Sequence, residues 1–221
     1  MAGALPIRVV GVIPAAGHAT RLQPLPCSKE VLLVGGRPVL DYLVERMQAA
    51  PCDELRVVTR PEKLDVAERA REHGALVVEG RPPSVADSLL LGLEGLDGDD
   101  VVLFGFPDTV WEPVDAFRQL IGELGEVALG LFRCRELTRS DVVTVGGARV
   151  TAVHVKPESP PSDLVWGCLA AQVGALEGLA GHTEPGAYLD GLAREGRVRG
   201  VDFGTEFVDI GTPESLRAAA Q

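Results

Sequence analysis

With 221 residues the chain can bury one substantial core, and 46% hydrophobic against 24% charged residues excludes a disordered or fibrous protein. The formal net charge of −11 argues against a broad nucleic-acid or anionic-membrane surface, because such partners select for excess Lys and Arg. A small phosphate ligand, which needs only a few local cations, stays compatible with it.

The first element is "IRVVGVIPA", residues 7–15, short, β-branched and apolar throughout. That is the pattern of a strand buried on both faces of a parallel sheet. A Gly/Ala-rich basic stretch follows. Val39, Leu40, Leu43, Val44 and Met47 then recur at helical spacing after Pro38. "ELRVVTR" predicts a second strand, "KLDVAERAREHG" a helix stopped by Gly74, and "ALVVEG" a third strand. In "SVADSLLLGLEGL" Ser84 caps a helix, with Asp87 in the third position. "DDVVLFGFPD" predicts a fourth strand and "VDAFRQLIGELG" a further helix. The second half is less regular. "EVALGLFRC" and "LVWGCLAAQV" read as strands, and "DVVTVGGARVTAVHVKP" as a hairpin turning at Gly146-Gly147. A helix is expected near 175–180, a short strand or two in "VRGVDFGTEFVDIG", and a last helix with Thr212 as cap and Pro213 at its first position.

The alternation predicts a single-domain α/β fold. Its sheet is expected to be doubly wound, mostly parallel and Rossmann-like, with helices on both faces and a small hairpin lobe in the second half. Four scattered cysteines (Cys27, Cys52, Cys134, Cys168) form no CxxC pair, and reduced buried thiols are expected. No apolar run approaches the roughly 20 residues of a membrane span, and the N-terminus lacks the signature of a secretory leader. A cytoplasmic protein is the expectation.

In an open α/β sheet ligands bind beyond the carboxyl ends of strands, where the loop after the first strand lies. Glycine and alanine there let backbone N–H groups approach an anion, and Arg21 and Lys29 add two cations. The spacing matches neither the Rossmann nor the P-loop fingerprint. Asp108, ending the fourth strand in "LFGFPDTV", stands where a Mg²⁺ ligand is expected. Asp209 in "FVDIGTPE" is the second candidate; Mg²⁺ favours one or two carboxylates plus substrate phosphates.

The run Ala15-Ala16-Gly17-His18-Ala19-Thr20-Arg21-Leu22-Gln23-Pro24, then Ser28-Lys29, resembles the opening motif of the nucleotidyltransferases that make nucleoside-diphosphate sugars. "RPPSVADSLLLGLEGL", "FPDTV", "VKPESPPSDLVWG" and "DIGTPESL" follow in the family's order. The resemblance implies a nucleoside triphosphate, a phosphorylated small-molecule acceptor and Mg²⁺ as partners. It implies a nucleotide-binding half over residues 1–125 and an acceptor-binding half over 126–221. The residues implied to meet the nucleotide are Ala15, Ala16, Gly17, His18, Ala19, Thr20, Arg21 and Ser84, with Glu79 toward the base. Lys29 is implied to contact the α-phosphate, Lys156 the acceptor phosphate with Gly167 nearby, and Asp108 and Asp209 the metal. A homodimer is left open, and no nucleic acid or membrane is expected.

The chain departs from that pattern in places. The Pro24–Lys29 segment is about two residues short, and Ser28 replaces a proline. Val155 stands where an acid commonly contacts sugar hydroxyls, Pro107 replaces a glycine, and Glu79 falls at a base-reading glutamine. The acceptor is therefore a sugar 1-phosphate or a different phosphate, such as that of a cyclitol or amino alcohol. A regulatory protein without turnover, and a metal-dependent glycosyltransferase, are the rival classes. The latter would want a D-x-D pair, and "PDTV" supplies one aspartate.

Overall fold

The computed structural model describes residues 7–20, 22–212 and 215–216. Nine strands form one sheet. They are β1 (Val9–Pro14), β2 (Glu54–Thr59), β3 (Leu76–Glu79), β4 (Val101–Gly105), β5 (Val127–Arg133), β6 (Val142–Gly146), β7 (Arg149–His154), β8 (Leu164–Gln172) and β9 (Val198–Glu206). The order across the sheet is β3-β2-β1-β4-β8-β5-β9-β7-β6. The helices are α1 (Val39–Gln48), α2 (Leu64–Glu72), α3 (Val85–Leu93), α4 (Ala116–Gly122) and α5 (Pro185–Arg194).

Strands β3, β2, β1 and β4 are mutually parallel, as their unbroken apolar runs predict. The second half corrects the expectation of a mostly parallel sheet with a separate hairpin lobe. Strand β8 enters antiparallel between β4 and β5, while β9 runs parallel to β5. The β6–β7 hairpin turns at Gly147, whose φ of 65° suits glycine, and it continues the same sheet. At its N-terminal end β8 also pairs with β6 through Val165 and Val142, so this side curls into a partial barrel. The reversal of β8 was illegible because β8 and its neighbours β4 and β5 are apolar on both sides, and such runs carry no sign of direction.

Alternate strand residues feed two cores, which is why the sheet is covered on both faces. Val10, Val12, Val102, Phe104, Leu129 and Leu169 pack with α3, α5 and the 3₁₀ stretch Val173–Leu179. Ile13, Val57, Leu103, Ala128 and Ala170 pack with α1, α2 and α4. Ser84 caps α3, accepting the Asp87 N–H at 3.1 Å, as its sequence predicts. Thr212 and Ser215 bond one another at the expected last helix, while Pro213 lies outside the described residues. No described helix is long and apolar enough to cross a membrane.

Candidate active site

One edge of the sheet gathers the carboxyl ends of β1, β2, β4, β5 and β9 with the N-terminal end of the reversed strand β8. A cleft of about 470 Å³ opens there. Ala16, Gly17, His18, Lys29, Ser84, Asp108, Lys156 and Asp209 all line it.

The loop after β1 is held from beneath. Arg60 donates to the Ala16 carbonyl at 2.7 Å, and Lys63 to the carbonyls of Ala15 and Gly17 at 2.8 and 3.1 Å. Both cations come from the turn after β2. Occupying the carbonyls on that side leaves the amides of Ala16, Gly17 and His18 without a backbone acceptor among the described residues. The Ala15 amide is different: it donates to Val58 at 2.7 Å and prolongs the sheet. Ala15 therefore shapes the loop rather than offering a donor. Ala19 tolerates a φ of 51° and faces the adjoining cavity with Gly17 and His18. Thr20 is exposed, and Arg21 lies outside the described residues.

Lys63 is itself anchored by Glu30 at 2.6 Å, and Glu30 is fully buried. Burial pushes the Glu30 carboxyl above its ordinary pKa, with Lys63 and Lys29 opposing that shift. Ser28 explains its own departure from the motif. Its N–H and O–H each donate to Asp65 at 2.7 Å, a double contact that a proline, lacking the N–H, cannot make. Lys29 is thus fixed from both flanks despite the shortened segment. Glu30, Arg60, Lys63 and Asp65 escaped sequence reasoning because their spacing follows no motif and the burial of Glu30 is set only by the fold.

Lys29 reaches Asp108 at 2.5 Å. Burial works against its ammonium, but Asp108, Glu30 and Asp209 outweigh it and hold its pKa above the ordinary lysine value. Asp108 and Asp209 are brought together by a two-residue ribbon in which Thr109–Val110 pairs with Val208–Asp209. Its closure is completed by the Ile210 N–H, donated to the Asp108 carbonyl at 2.9 Å. Burial, then the Asp108 charge, pushes the Asp209 carboxyl up to about 6. Two repelling carboxylates with hard oxygens, facing a cleft, fit the donor set of Mg²⁺.

The cleft also holds residues that were not singled out in the sequence. Phe106, Trp166, Asp141 and Glu184 line the cleft beside Lys156. Lys156 takes a φ of 41° and pairs with Glu184. Gly167 is buried and does not line the cleft; a β-carbon there would meet Phe207 at 2.3 Å. Its lack of a side chain lets Phe207, two residues before Asp209, pack over the strand. Glu79 ends β3 exposed and outside the cleft lining, where Arg60, Pro82, Pro83 and Ser84 stand instead.

An α/β sheet with an anion-ready loop, a lysine and two converging carboxylates at one carboxyl edge defines the class as a nucleotidyltransferase. The particular family is the MobA-like NTP transferase domain family, to which the chain belongs; that family's profile matches residues 11–159. The chain is similar to a 3-deoxy-manno-octulosonate cytidylyltransferase of Xanthobacter autotrophicus, 31% identical over 61% of this chain and 52% of that protein. It is also similar to a glucose-1-phosphate thymidylyltransferase of Neisseria meningitidis, 25% identical over 95% of this chain and 81% of that one. Among solved structures, a Bacillus anthracis protein assigned as a glucose-1-phosphate thymidylyltransferase, in complex with sucrose, superposes with a TM-score of 0.84. It shares 20% identity and covers 96% of this chain and 94% of that one. A UDP-glucose pyrophosphorylase complexed with UDP-glucose gives a TM-score of 0.80 at 19% identity, covering 97% of each chain. At these identities the structures establish the fold.

Proposed function

We propose that the protein joins a nucleoside triphosphate to a sugar 1-phosphate, releasing pyrophosphate and leaving a nucleoside-diphosphate sugar. The observation that carries the reading is the convergence of Lys29, Asp108 and Asp209 beside the Ala16–His18 loop, in one cleft with Lys156. The loop amides, with Arg21, hold the triphosphate. Lys156 holds the acceptor phosphate. An oxygen of that phosphate attacks the α-phosphorus in line, the bond to the bridging oxygen breaks, and pyrophosphate departs with the electron pair. Both reactants are anions, so positioning and charge neutralisation supply the rate. Lys29 faces the α-phosphate as charge builds on its oxygens. Asp108 and Asp209 would hold Mg²⁺, which when bound neutralises phosphate charge and orients the leaving group. No side chain serves as nucleophile or general base, since the attacking oxygen is already ionised.

The test is pyrophosphate release on mixing the protein with Mg²⁺, each of the common nucleoside triphosphates and a panel of sugar 1-phosphates. Turnover that needs both substrates supports the reading. Triphosphate hydrolysis indifferent to any acceptor, or sugar transfer from a preformed nucleotide sugar, overturns it.

A further inference from the structure

Arg46, on the buried face of α1, is only 1% exposed. Burial works against its guanidinium and holds the pKa below the ordinary arginine value, yet the group stays charged. The carboxylate within reach, Glu112 Oε1 at 3.4 Å, belongs to a side chain that is 62% exposed, and a pair so open to water contributes little. An apolar side chain of similar volume would serve the stability of this core as well. What the guanidinium adds is position. Nη1 donates to the Tyr42 carbonyl at 2.6 Å, one turn back on the helix, and Nη2 donates to the Trp111 carbonyl. Its central carbon lies 4.8 Å from the centre of the Trp111 ring and 5.8 Å from that of Tyr42.

Trp111 directly follows the Thr109–Val110 strand of the ribbon that brings Asp108 and Asp209 together. Its ring is seated in the core against Phe117 and Phe132, with 5.9 and 5.0 Å between ring centres. Its indole N–H donates to the Thr109 hydroxyl at 3.2 Å, and that hydroxyl donates to the Phe106 carbonyl at 2.8 Å. The next carbonyl along, that of Glu112, accepts from the Thr205 hydroxyl on β9, the strand that leads into Asp209. The segments that carry the two carboxylates are thus fastened at successive carbonyls, one by Arg46 and the other by Thr205. We infer that Arg46 is a positioning residue of the candidate metal site: acting through Trp111 and Thr109, it sets where Asp108 stands relative to Asp209. This rests on the assignment of those two carboxylates to a divalent cation. An aliphatic side chain cannot hold a carbonyl, and a lysine lacks the planar fork that reaches two carbonyls while lying against two rings.

Electron paramagnetic resonance of Mn²⁺ titrated into the protein, with neither nucleotide nor acceptor present, tests this. Arg46→Met fills the volume and removes the donors; Thr109→Val keeps the shape of the side chain and removes the hydroxyl. Each should weaken Mn²⁺ binding about tenfold, the lower end of what groups that orient metal ligands contribute. Arg46→Lys, which keeps the charge and loses the fork, takes the place of Arg46→Met if that variant does not fold. Phe117→Leu loosens the packing around Trp111 without touching the polar chain, so it should lower the melting temperature and leave Mn²⁺ affinity at the parent's value. Parent-like affinity in the Arg46 variant or in Thr109→Val overturns the inference, as does an equal loss in Phe117→Leu. If the parent binds no Mn²⁺, the metal reading fails instead. Crystal structures of the parent and Arg46→Lys then still decide the role of Arg46, with a ribbon displaced by less than about 0.5 Å overturning it.

Discussion

At the scale of single residues, the proposed transfer calls for opposite charges side by side, and the cleft brings Lys29, Asp108 and Asp209 together. Lys29 pairs with Asp108, and the nearby Glu30 and Asp209 charges help keep its ammonium charged. Lys29→Ala, and Arg21→Ala in the loop, should each lower turnover about 10²-fold, the loss expected for one preorganised cation facing developing charge, while the melting temperature stays close to the parent's. An exposed, solvated cation would change turnover little, so kinetics beside a melting curve decides. Asp108→Asn and Asp209→Asn should remove nearly all activity and weaken magnetic-resonance signals of Mn²⁺ bound in place of Mg²⁺. Full turnover in either variant would end the metal assignment. Lys29 and Asp108 were expected before folding, from a loop of unusual composition and from the end of an apolar strand, and Asp209 from the family's closing motif. Asp141 was not. It precedes an ordinary hairpin strand, and only the pairing of β6 with β8 brings it beside Trp166.

At the scale of elements, the turn after β2 and the loop after β1 form one brace. Lys63→Met leaves the buried Glu30 carboxylate without its cation, a loss of about 3–5 kcal/mol. It also frees two loop carbonyls, and a shift of about 1 Å in a phosphate loop costs up to ~10² in rate. The double variant Glu30→Gln/Lys63→Met should regain most of the stability and little of the activity. Recovery of both would reduce the brace to a core contact. Helices α1 and α2 are tied by a second ion group. Buried Asp41 accepts from Arg69 Nε at 2.8 Å and lies 2.9 Å from His73 Nε2, with Arg37 at 3.8 Å. Burial alone would raise the Asp41 pKa, but the hydrogen bonds from Arg69 and His73 prevail and hold it below the ordinary value. The unfolded chain therefore binds the proton first. The contribution is complete above the unfolded pKa of about 3.9 and disappears as pH falls through the folded one. Below about pH 4 the melting temperature of the parent should fall more steeply than that of Asp41→Asn; parallel curves would show that Asp41 is not the titrating group.

At the scale of the whole molecule, the strand order joins the halves. Strand β8, from the second half, lies between β4 and β5, so the acceptor side of the cleft cannot shift without moving the central sheet. Gly167 marks the closest crossing, at a bulge where β8 shifts register against β5 and where Phe207 packs on it. Gly167→Ala should overpack this point by about 1–3 kcal/mol and lower activity as well, by displacing the segment that carries Asp209. A variant with parent-like melting and kinetics would show that Phe207 moves aside at no consequence.

The sequence by itself determined the α/β class, the strands of the first half, the cap at Ser84 and the unusual loop after β1. Those signals are local: strand and helix periods, a capping residue, and a loop rich in glycine, alanine and cations. The tertiary structure alone decided the reversed strand β8, the partial barrel, the Glu30–Lys63 brace, the placing of Glu79 outside the cleft and the gathering of Asp141, Glu184 and Trp166. The reason is physical. Strand direction and neighbour order leave no trace in runs that are apolar on both faces, and a carboxylate's role depends on which distant charge the sheet brings to it.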